Sequence, residues 1–216
     1  MSSDAGVNLW RSPEHALEYL RRAETIPHRA EGEAMLLGLL PERLERFLDL
    51  GSGNGRLLAL VKSKYPKAQA VAVDFSPTML AALLDRFAPD ASVEILEHDL
   101  DRPLPPLGEF DAVVSSFAIH HLPDARKRSL YEEAYRLLRP GGMFCNLEHV
   151  SSPTEVLHQY FLAQVDKTGP VRDDPSNKLL DTWTQVRWLA EIGFDDADCY
   201  WKWLELALLA GRKPLT

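Results

Sequence analysis

The chain has 216 residues, of which 45% are hydrophobic and 26% are charged. This length and composition exclude a disordered or collagen-like chain and fit one globular domain. With 24 basic against 32 acidic residues the formal net charge is −8, so duplex nucleic acid is not an expected partner.

Cys145 and Cys199 are too few for a disulfide framework or a thiolate metal site. No apolar stretch of the sequence reaches the ~20 residues that span a bilayer. The N-terminus also lacks the basic start and apolar run of a signal peptide. We therefore expect a soluble, cytoplasmic protein without a membrane partner.

Residues 1–45 predict an N-terminal helical cap. Residues 1–11 carry no regular pattern and predict a loose arm. The sequence Ser12-Pro13-Glu14 then supplies a cap, a proline at the first helical position and an early acid, which together start a helix. A second amphipathic run follows Pro27 and covers about residues 30–40.

From residue 46 to residue 150, short apolar runs alternate with helical patterns. The predicted strands are 46–50, 69–73, 93–96, 111–116 and 143–150, and the predicted helices are about 56–64, 77–87 and 125–138. This alternation predicts βαβ units and a parallel sheet that is covered by helices on both faces.

The pattern changes after residue 150. Residues 151–182 predict one helix and a polar loop, which we interpret as a lid-like insertion into a domain that covers residues 46–216. A further helix is predicted to end at Gly193. Residues 198–211 then favour two closing strands that pair antiparallel, because no helix of crossover length separates them.

A glycine-rich loop follows the first strand, in the sequence Asp49-Leu50-Gly51-Ser52-Gly53-Asn54-Gly55-Arg56. Glycines there allow positive φ and close approach of a ligand, and the next helix directs free N–H groups at the turn. Dinucleotide-binding loops have their third glycine where this chain has Arg56. The spacing therefore disfavours NAD.

Asp49 followed by G-x-G-x-G resembles the first motif of class I S-adenosylmethionine-dependent methyltransferases. Four further stretches are similar to that superfamily in the expected order: Ala70–Leu80, Glu97–Leu100, Phe110–Leu122 and Leu137–Phe144. The resemblance implies an α/β fold with a Rossmann-like, mostly parallel sheet of seven strands, an antiparallel final strand and helices on both faces.

The resemblance also implies S-adenosyl-L-methionine as the cofactor. Asp74 would accept hydrogen bonds from both ribose hydroxyls, as a carboxylate can, Asp99 would accept from the adenine amino group, and Met79 would pack near the adenine. The residues predicted to bind the cofactor are Asp49, Gly51, Ser52, Gly53, Gly55, Asp74, Phe75, Met79, Asp99, Leu100, Ser116, Phe117, His121 and Arg29.

The function implied is direct transfer of a methyl group to an O, N or C nucleophile of a small-molecule acceptor. A sulfonium is already electrophilic, so the enzyme mainly has to align an SN2 displacement. Two alternatives stay open: a tRNA-modifying or modified-sulfonium transferase of the same fold, and a non-catalytic cofactor-binding protein. No ligand-spaced metal cluster is visible, and the sequence leaves a homodimer or a monomer open.

His120 is the predicted catalytic base, because it leaves the fourth strand and a histidine titrates near neutral pH. We expect it to face the acceptor, and His121 to point toward the cofactor or into helix packing. At the end of the fifth strand, only one of Glu148 and His149 should face the pocket, since side chains alternate. The lid-like insertion offers weaker candidates, namely His158, Tyr160, Phe161 and Trp183.

Arg29 is predicted to pair with the methionine carboxylate of the cofactor, because a guanidinium matches carboxylate geometry. The run Arg126-Lys127-Arg128 is interpreted as the solvated face of a helix start. The tryptophans Trp183, Trp188, Trp201 and Trp203 are interpreted as packing residues.

Overall fold

The computed structural model describes residues 9–23, 25–165 and 174–216. Its helices are α1 (Pro13–Ala23), α2 (Arg29–Leu39), α3 (Arg56–Lys64), α4 (Pro77–Phe87), α5 (Asp124–Leu137), α6 (Glu155–Val165) and α7 (Thr182–Ile192). Its strands are β1 (Arg46–Leu50), β2 (Gln69–Asp74), β3 (Val93–Glu97), β4 (Phe110–Ser116), β5 (Leu138–His149), β6 (Asp195–Trp203) and β7 (Leu206–Arg212).

One sheet contains all seven strands, in the order β3-β2-β1-β4-β5-β7-β6. Neighbours from β3 to β5 pair parallel, whereas β7 pairs antiparallel with both β5 and β6. Six strands therefore run one way and β7 runs the other, which confirms the predicted Rossmann-like fold. The chain leaves β1 toward β2 and later returns to place β4 on its other side, and ligands of open α/β sheets bind beyond the carboxyl ends at such a reversal.

The alternation of side chains along β1 assigns residues to the two faces of the sheet. Phe47 belongs to the core beneath α2 and α3, together with Leu36 and Leu58. Leu48 and Leu50 belong to the core beneath α5 and α7. Asp49 follows the direction of Phe47, so its carboxylate lies on the side of the sheet that α2 and α3 cover.

Two segments differ from the predicted pattern. The predicted loose arm is wrong at its end, because Leu9–Arg11 form a 3₁₀ turn and Trp10 packs edge-on against His15, with 4.8 Å between ring centroids. Strand β5 begins at Leu138, earlier than predicted, since Leu138 already pairs with Phe110 across an irregular register.

Residues 1–8 of the arm and residues 166–173 of the predicted insertion lie outside the described residues. None of the helices in the described part of the chain combines the length and the apolar character that crossing a bilayer needs.

Candidate functional site

A cleft of about 510 Å³ lies beyond the carboxyl ends of β1, β2, β3 and β4, at the chain reversal. Most of the residues predicted to bind a cofactor line it. They are Arg29, Asp49, Gly51, Ser52, Gly53, Asp74, Phe75, Met79, Asp99, Leu100, Ser116, Phe117 and His121.

The three glycines of the loop have positive φ but different surroundings. A Cβ on Gly51 would lie 2.2 Å from Ala118 Cβ, and one on Gly55 would lie 2.6 Å from Leu83. These two glycines allow close packing, and the Cβ position of Gly55 faces α4, so Gly55, although predicted to bind the cofactor, does not line the cleft. A Cβ on Gly53 would meet only Met79 Sδ, at 4.0 Å. Gly53 is the glycine that leaves space for a ligand.

The carboxylate of Asp49 is buried in the wall of the cleft. Its side chain is 1% exposed, and neither carboxylate oxygen has a hydrogen-bond partner among the described residues. Burial raises the pKa of Asp49 to about 7. A buried carboxylate is stable as an anion only beside a cation or donors, so this position is suited to a positively charged group of a ligand.

Asp74 ends β2 and organises the glycine loop. Its Oδ2 accepts from the Gly53 amide at 2.8 Å, and its Oδ1 accepts from the amides of Phe75 and Ser76 at 2.8 and 2.9 Å. A carboxylate has about four acceptor positions, so one position, on Oδ2, is left for a ligand hydroxyl. Burial raises the pKa of Asp74, and these amides oppose that rise.

Two arginines share one buried glutamate at the edge of the cleft. Arg29 donates through Nε to Glu33 at 2.9 Å, and Arg56 donates to the same carboxylate at 2.7 and 2.8 Å. The Arg29 guanidinium also lies 5.1 Å from the Phe117 ring centroid. Two guanidinium groups thus meet at the edge of the cleft, and the planar donors of a guanidinium match the geometry of a ligand carboxylate. Arg56 was missed as a site residue, although it directly follows the glycine loop.

The histidine pair occupies a 3₁₀ turn, Ile119–His121. Successive residues of such a turn point in directions about 120° apart. His121 therefore lines the cleft, whereas His120 lies behind it with its ring centroid 3.9 Å away. His120 is buried and its Nδ1 lies 2.6 Å from Glu148 Oε1. The prediction that His120 faces an acceptor in the cleft is wrong.

Burial lowers the pKa of His121 to about 3 and also lowers that of His120. Burial raises the pKa of Glu148 to about 7. Neither Glu148 nor His149 lines the cleft, contrary to prediction, because Glu148 lies beneath His120 and His149 Nε2 contacts Glu205 at 2.9 Å.

The insertion contributes to the cleft through residues that were not predicted, namely Pro175, Ser176 and Lys178. No sequence signal distinguished them within a polar loop. Ser176 Oγ lies 3.0 Å from His121 Nδ1, and the Trp10 ring centroid lies 5.0 Å from that of His121 on the other side.

The predicted candidates of the insertion lie elsewhere. Phe161 packs in the core, His158 Nδ1 contacts Glu205 at 3.0 Å, and Tyr160 is exposed. Trp183 is 84% exposed, so its interpretation as a packing residue is wrong. Among the residues that the structure describes, no group of three or more His, Cys, Asp or Glu side chains could hold a metal ion.

The part of the chain that forms most of the cleft is also the part that is similar to known proteins. Residues 47–142 match the family described as "Methyltransferase domain". A demethylmenaquinone methyltransferase of Thermus thermophilus is 40% identical over 111 residues, which cover 50% of this chain and 49% of the relative. A carboxy-S-adenosyl-L-methionine synthase of Chromohalobacter salexigens is 35% identical over 130 residues, which cover 56% and 47%.

The chain thus spans about half the length of these curated relatives. Human N-acetylserotonin methyltransferase, solved in complex with S-adenosylmethionine, superposes with a TM-score of 0.67 at 21% identity, over 95% of this chain and 58% of that one. At this identity the likeness shows the fold.

Proposed function

Because the chain belongs to the class I S-adenosylmethionine-dependent methyltransferase superfamily, we propose that it transfers a methyl group from S-adenosylmethionine to a small molecule. The observation that carries the proposal is the Asp49 carboxylate, which is buried in the cleft wall without a hydrogen-bond partner among the described residues. The methionine end of S-adenosylmethionine carries an ammonium group that would complete this site.

Residues along the cleft fit the other parts of the cofactor. Arg29 beside Phe117 would pair with the methionine carboxylate, and the open side of Gly53 would accommodate the chain between them. Asp74 has one acceptor position for a ribose hydroxyl. The Asp99 carboxylate, also in the cleft wall, would accept from the adenine amino group. When bound, the cofactor supplies a methyl group that is activated on a sulfonium.

His121 is the imidazole best placed to act on an acceptor. Ser176 Oγ donates to Asp174 Oδ1 at 2.7 Å, so toward His121 Nδ1 the hydroxyl oxygen is an acceptor. We infer that Nδ1 carries the proton and that Nε2 is the acceptor atom. With its pKa lowered to about 3, His121 is neutral at physiological pH and a weak base. It would orient a hydroxyl nucleophile rather than ionise it.

For the acceptor itself, we propose a hydroxylated aromatic ring of the quinol type. Two observations support this class: the relative of Thermus thermophilus is a demethylmenaquinone methyltransferase, and Trp10 and His121 form an aromatic wall beside the cleft. An aromatic wall favours flat rings through stacking and edge contacts.

The test is a turnover screen with S-adenosylmethionine against hydroquinones, simple phenols, carboxylic acids and amines, with release of S-adenosylhomocysteine as the signal. We expect turnover with a hydroquinone that is lost in Asp49→Asn and kept in Asp195→Asn, whose side chain is exposed on β6. Binding of S-adenosylmethionine without turnover of any acceptor class would favour the non-catalytic alternative.

The similarity to a carboxy-S-adenosyl-L-methionine synthase favours one second candidate, a transferase that makes or uses a modified sulfonium. Mass spectrometry of the cofactor that co-purifies with the protein separates the two. We expect unmodified S-adenosylmethionine or S-adenosylhomocysteine. A mass increased by a carboxyl group would replace the first candidate with the second.

A further inference from the structure

The basic run at the start of α5 does not form a solvated face, contrary to the sequence-based interpretation. The Lys127 side chain is 1% exposed and the Arg126 side chain 10%, whereas that of Arg128 is 40% exposed. Lys127 Nζ donates to Asp124 and to the Lys178 carbonyl, and Arg128 pairs with Glu191. The three neighbouring side chains therefore have different surroundings, and Arg126 makes the most hydrogen bonds of the three.

Every N–H of the Arg126 guanidinium has a partner. Nε donates to the Leu100 carbonyl at 2.6 Å, and Nη2 donates to the Arg102 carbonyl at 2.8 Å. Nη1 donates to Ser129 Oγ at 2.8 Å, and both terminal nitrogens donate to Glu133, at 2.7 and 2.9 Å. A guanidinium has five donors in a fixed plane, so this arrangement fixes the two carbonyls relative to α5.

The fixed carbonyls belong to the turn after β3, which we name the base turn (residues 98–102). The base turn is irregular and lies against the cleft, where Asp99, Leu100 and Asp101 form part of the wall. Within it, the Arg102 amide donates to the Asp99 carbonyl at 2.9 Å, and the Asp101 amide donates to Asp99 Oδ1 at 3.0 Å. Just beyond it, Glu133 accepts from the Leu104 amide at 3.0 Å.

If the adenine ring contacts Asp99 as the proposed function requires, the position of this carboxylate determines which ring the cleft accepts. An ionised carboxylate only accepts hydrogen bonds, so it favours a ring with an exocyclic amino group over the same ring with a carbonyl. That discrimination requires a carboxylate held in place, because a mobile turn could move it away from an unfavourable carbonyl oxygen.

We propose that Arg126 is a positioning residue that makes the cofactor site selective for a base with an exocyclic amino group. The proposal rests on the proposed function, because it takes the cleft to be the S-adenosylmethionine site. Arg126 acts through the Leu100 and Arg102 carbonyls and does not itself line the cleft.

The test is calorimetric titration with two ligands, S-adenosylhomocysteine and its 6-oxo analogue, in which a carbonyl replaces the adenine amino group. The wild type should prefer S-adenosylhomocysteine by at least about tenfold, since the analogue sets an oxygen against the Asp99 carboxylate. In Arg126→Gln the preference should fall to within about threefold, mainly through weaker binding of S-adenosylhomocysteine. Arg128→Gln, from the same run, should keep the wild-type preference.

Each outcome has one meaning. No binding of S-adenosylhomocysteine by the folded wild type overturns the proposed function itself. A wild-type preference that persists in Arg126→Gln overturns only the role of Arg126. An equal loss of affinity for both ligands, or a wild type without preference, also overturns it. Should Arg126→Gln fail to fold by circular dichroism, Arg126→Lys is used, because an ammonium keeps the charge and cannot reach both carbonyls and Glu133.

Discussion

The Asp49 carboxylate is the group whose energetics depend most on a bound ligand. Burial raises its pKa in the folded protein from 3.8 to about 7. The folded state therefore holds this proton to higher pH than the unfolded state does. As a result, Asp49 makes the free protein less stable as the pH rises from about 4 to about 7. A cationic group beside the carboxylate removes that cost.

We predict that Asp49→Asn stabilises the free protein, and more at high pH than at low pH. The gain should grow by on the order of 2 kcal/mol between pH 5 and pH 7, because the carboxyl is already ionised in the unfolded wild type and keeps its proton in the folded one up to about pH 7. Urea unfolding at several pH values measures the gain, with Asp195→Asn as the control. A gain that is independent of pH would contradict the raised pKa.

The glycine loop allows a matched pair of substitutions. Gly53→Ala adds a Cβ that meets no atom closer than 4.0 Å, so we predict a folded protein whose affinity for S-adenosylhomocysteine falls at least about tenfold. Gly51→Ala adds a Cβ 2.2 Å from Ala118 Cβ, so it should lower the unfolding temperature more than Gly53→Ala does. Calorimetry and thermal unfolding measure both effects. Unchanged affinity in Gly53→Ala would show that the loop does not face the ligand.

Residues fixed by local sequence were predictable, and residues fixed by distant partners were not. Asp49 is the last residue but one of β1, Asp74 ends β2 and Gly53 lies in the loop after β1, each inside a short motif, so their places in the cleft follow from the chain around them. By contrast, the sequence around Arg126, a run of three basic residues at a helix start, is typical of a solvated helix face. The burial of Arg126 depends on the carbonyls of residues 100 and 102, which lie 26 and 24 positions earlier in the chain. No local pattern reveals such distant partners.

At the scale of elements, the cleft is completed by the strap, which we define as residues 174–181. The Lys178 amide donates to the His120 carbonyl at 2.9 Å, and the Ser151 amide donates to the Leu180 carbonyl at 3.2 Å. Buried Lys127 on α5 donates to the Lys178 carbonyl. The strap is thereby fixed to the 3₁₀ turn that carries His121, and it holds Ser176 against that imidazole.

We predict that His121→Ala lowers kcat for a hydroxylated aromatic acceptor by roughly 10- to 100-fold. The loss is smaller than for a strong base, because a pKa near 3 makes His121 an orienting group. Affinity for S-adenosylhomocysteine should stay within about threefold. The exposed His28, paired with Glu31 at 2.8 Å, provides the control His28→Ala. A normal kcat in His121→Ala would reduce His121 to a wall residue.

The bounds of the helices were predicted best where the hydrophobic periodicity and a glycine or proline at the helix start agree. Helices 56–64 and 77–87 have the predicted bounds, since Gly55 precedes one and Pro77 begins the other. The 3₁₀ turn after β4 was missed because its three residues are too few to show a period. That omission reversed the assignment of His120 and His121.

At the scale of the molecule, the cleft joins parts that are distant along the chain. Its wall combines the N-terminal turn, the carboxyl ends of four strands and the strap. A ligand that contacts all of them binds the folded state alone and stabilises the whole domain.

We predict that S-adenosylhomocysteine at about 100 times its Kd raises the unfolding temperature by about 5–10 °C, as about 2.7 kcal/mol of binding linkage implies for a chain of this size. Differential scanning calorimetry measures the shift, with adenosine alone as the control ligand. Adenosine lacks the ammonium and carboxylate and should give a smaller shift at equal concentration. An equal shift would contradict the pairing of Asp49 and Arg29 with the methionine end.

The most direct test of the central claim, that Asp49 receives the cofactor's ammonium group, is the proton balance of binding. Calorimetric titration with S-adenosylhomocysteine at pH 7, in two buffers of different ionisation enthalpy, counts the protons released. With its pKa at about 7, Asp49 is half protonated in the free protein. Pairing with the ammonium should therefore release about half a proton. We predict one-to-one binding with this release in the wild type and none in Asp49→Asn. No binding by the folded wild type, or equal proton release in both proteins, would contradict the account.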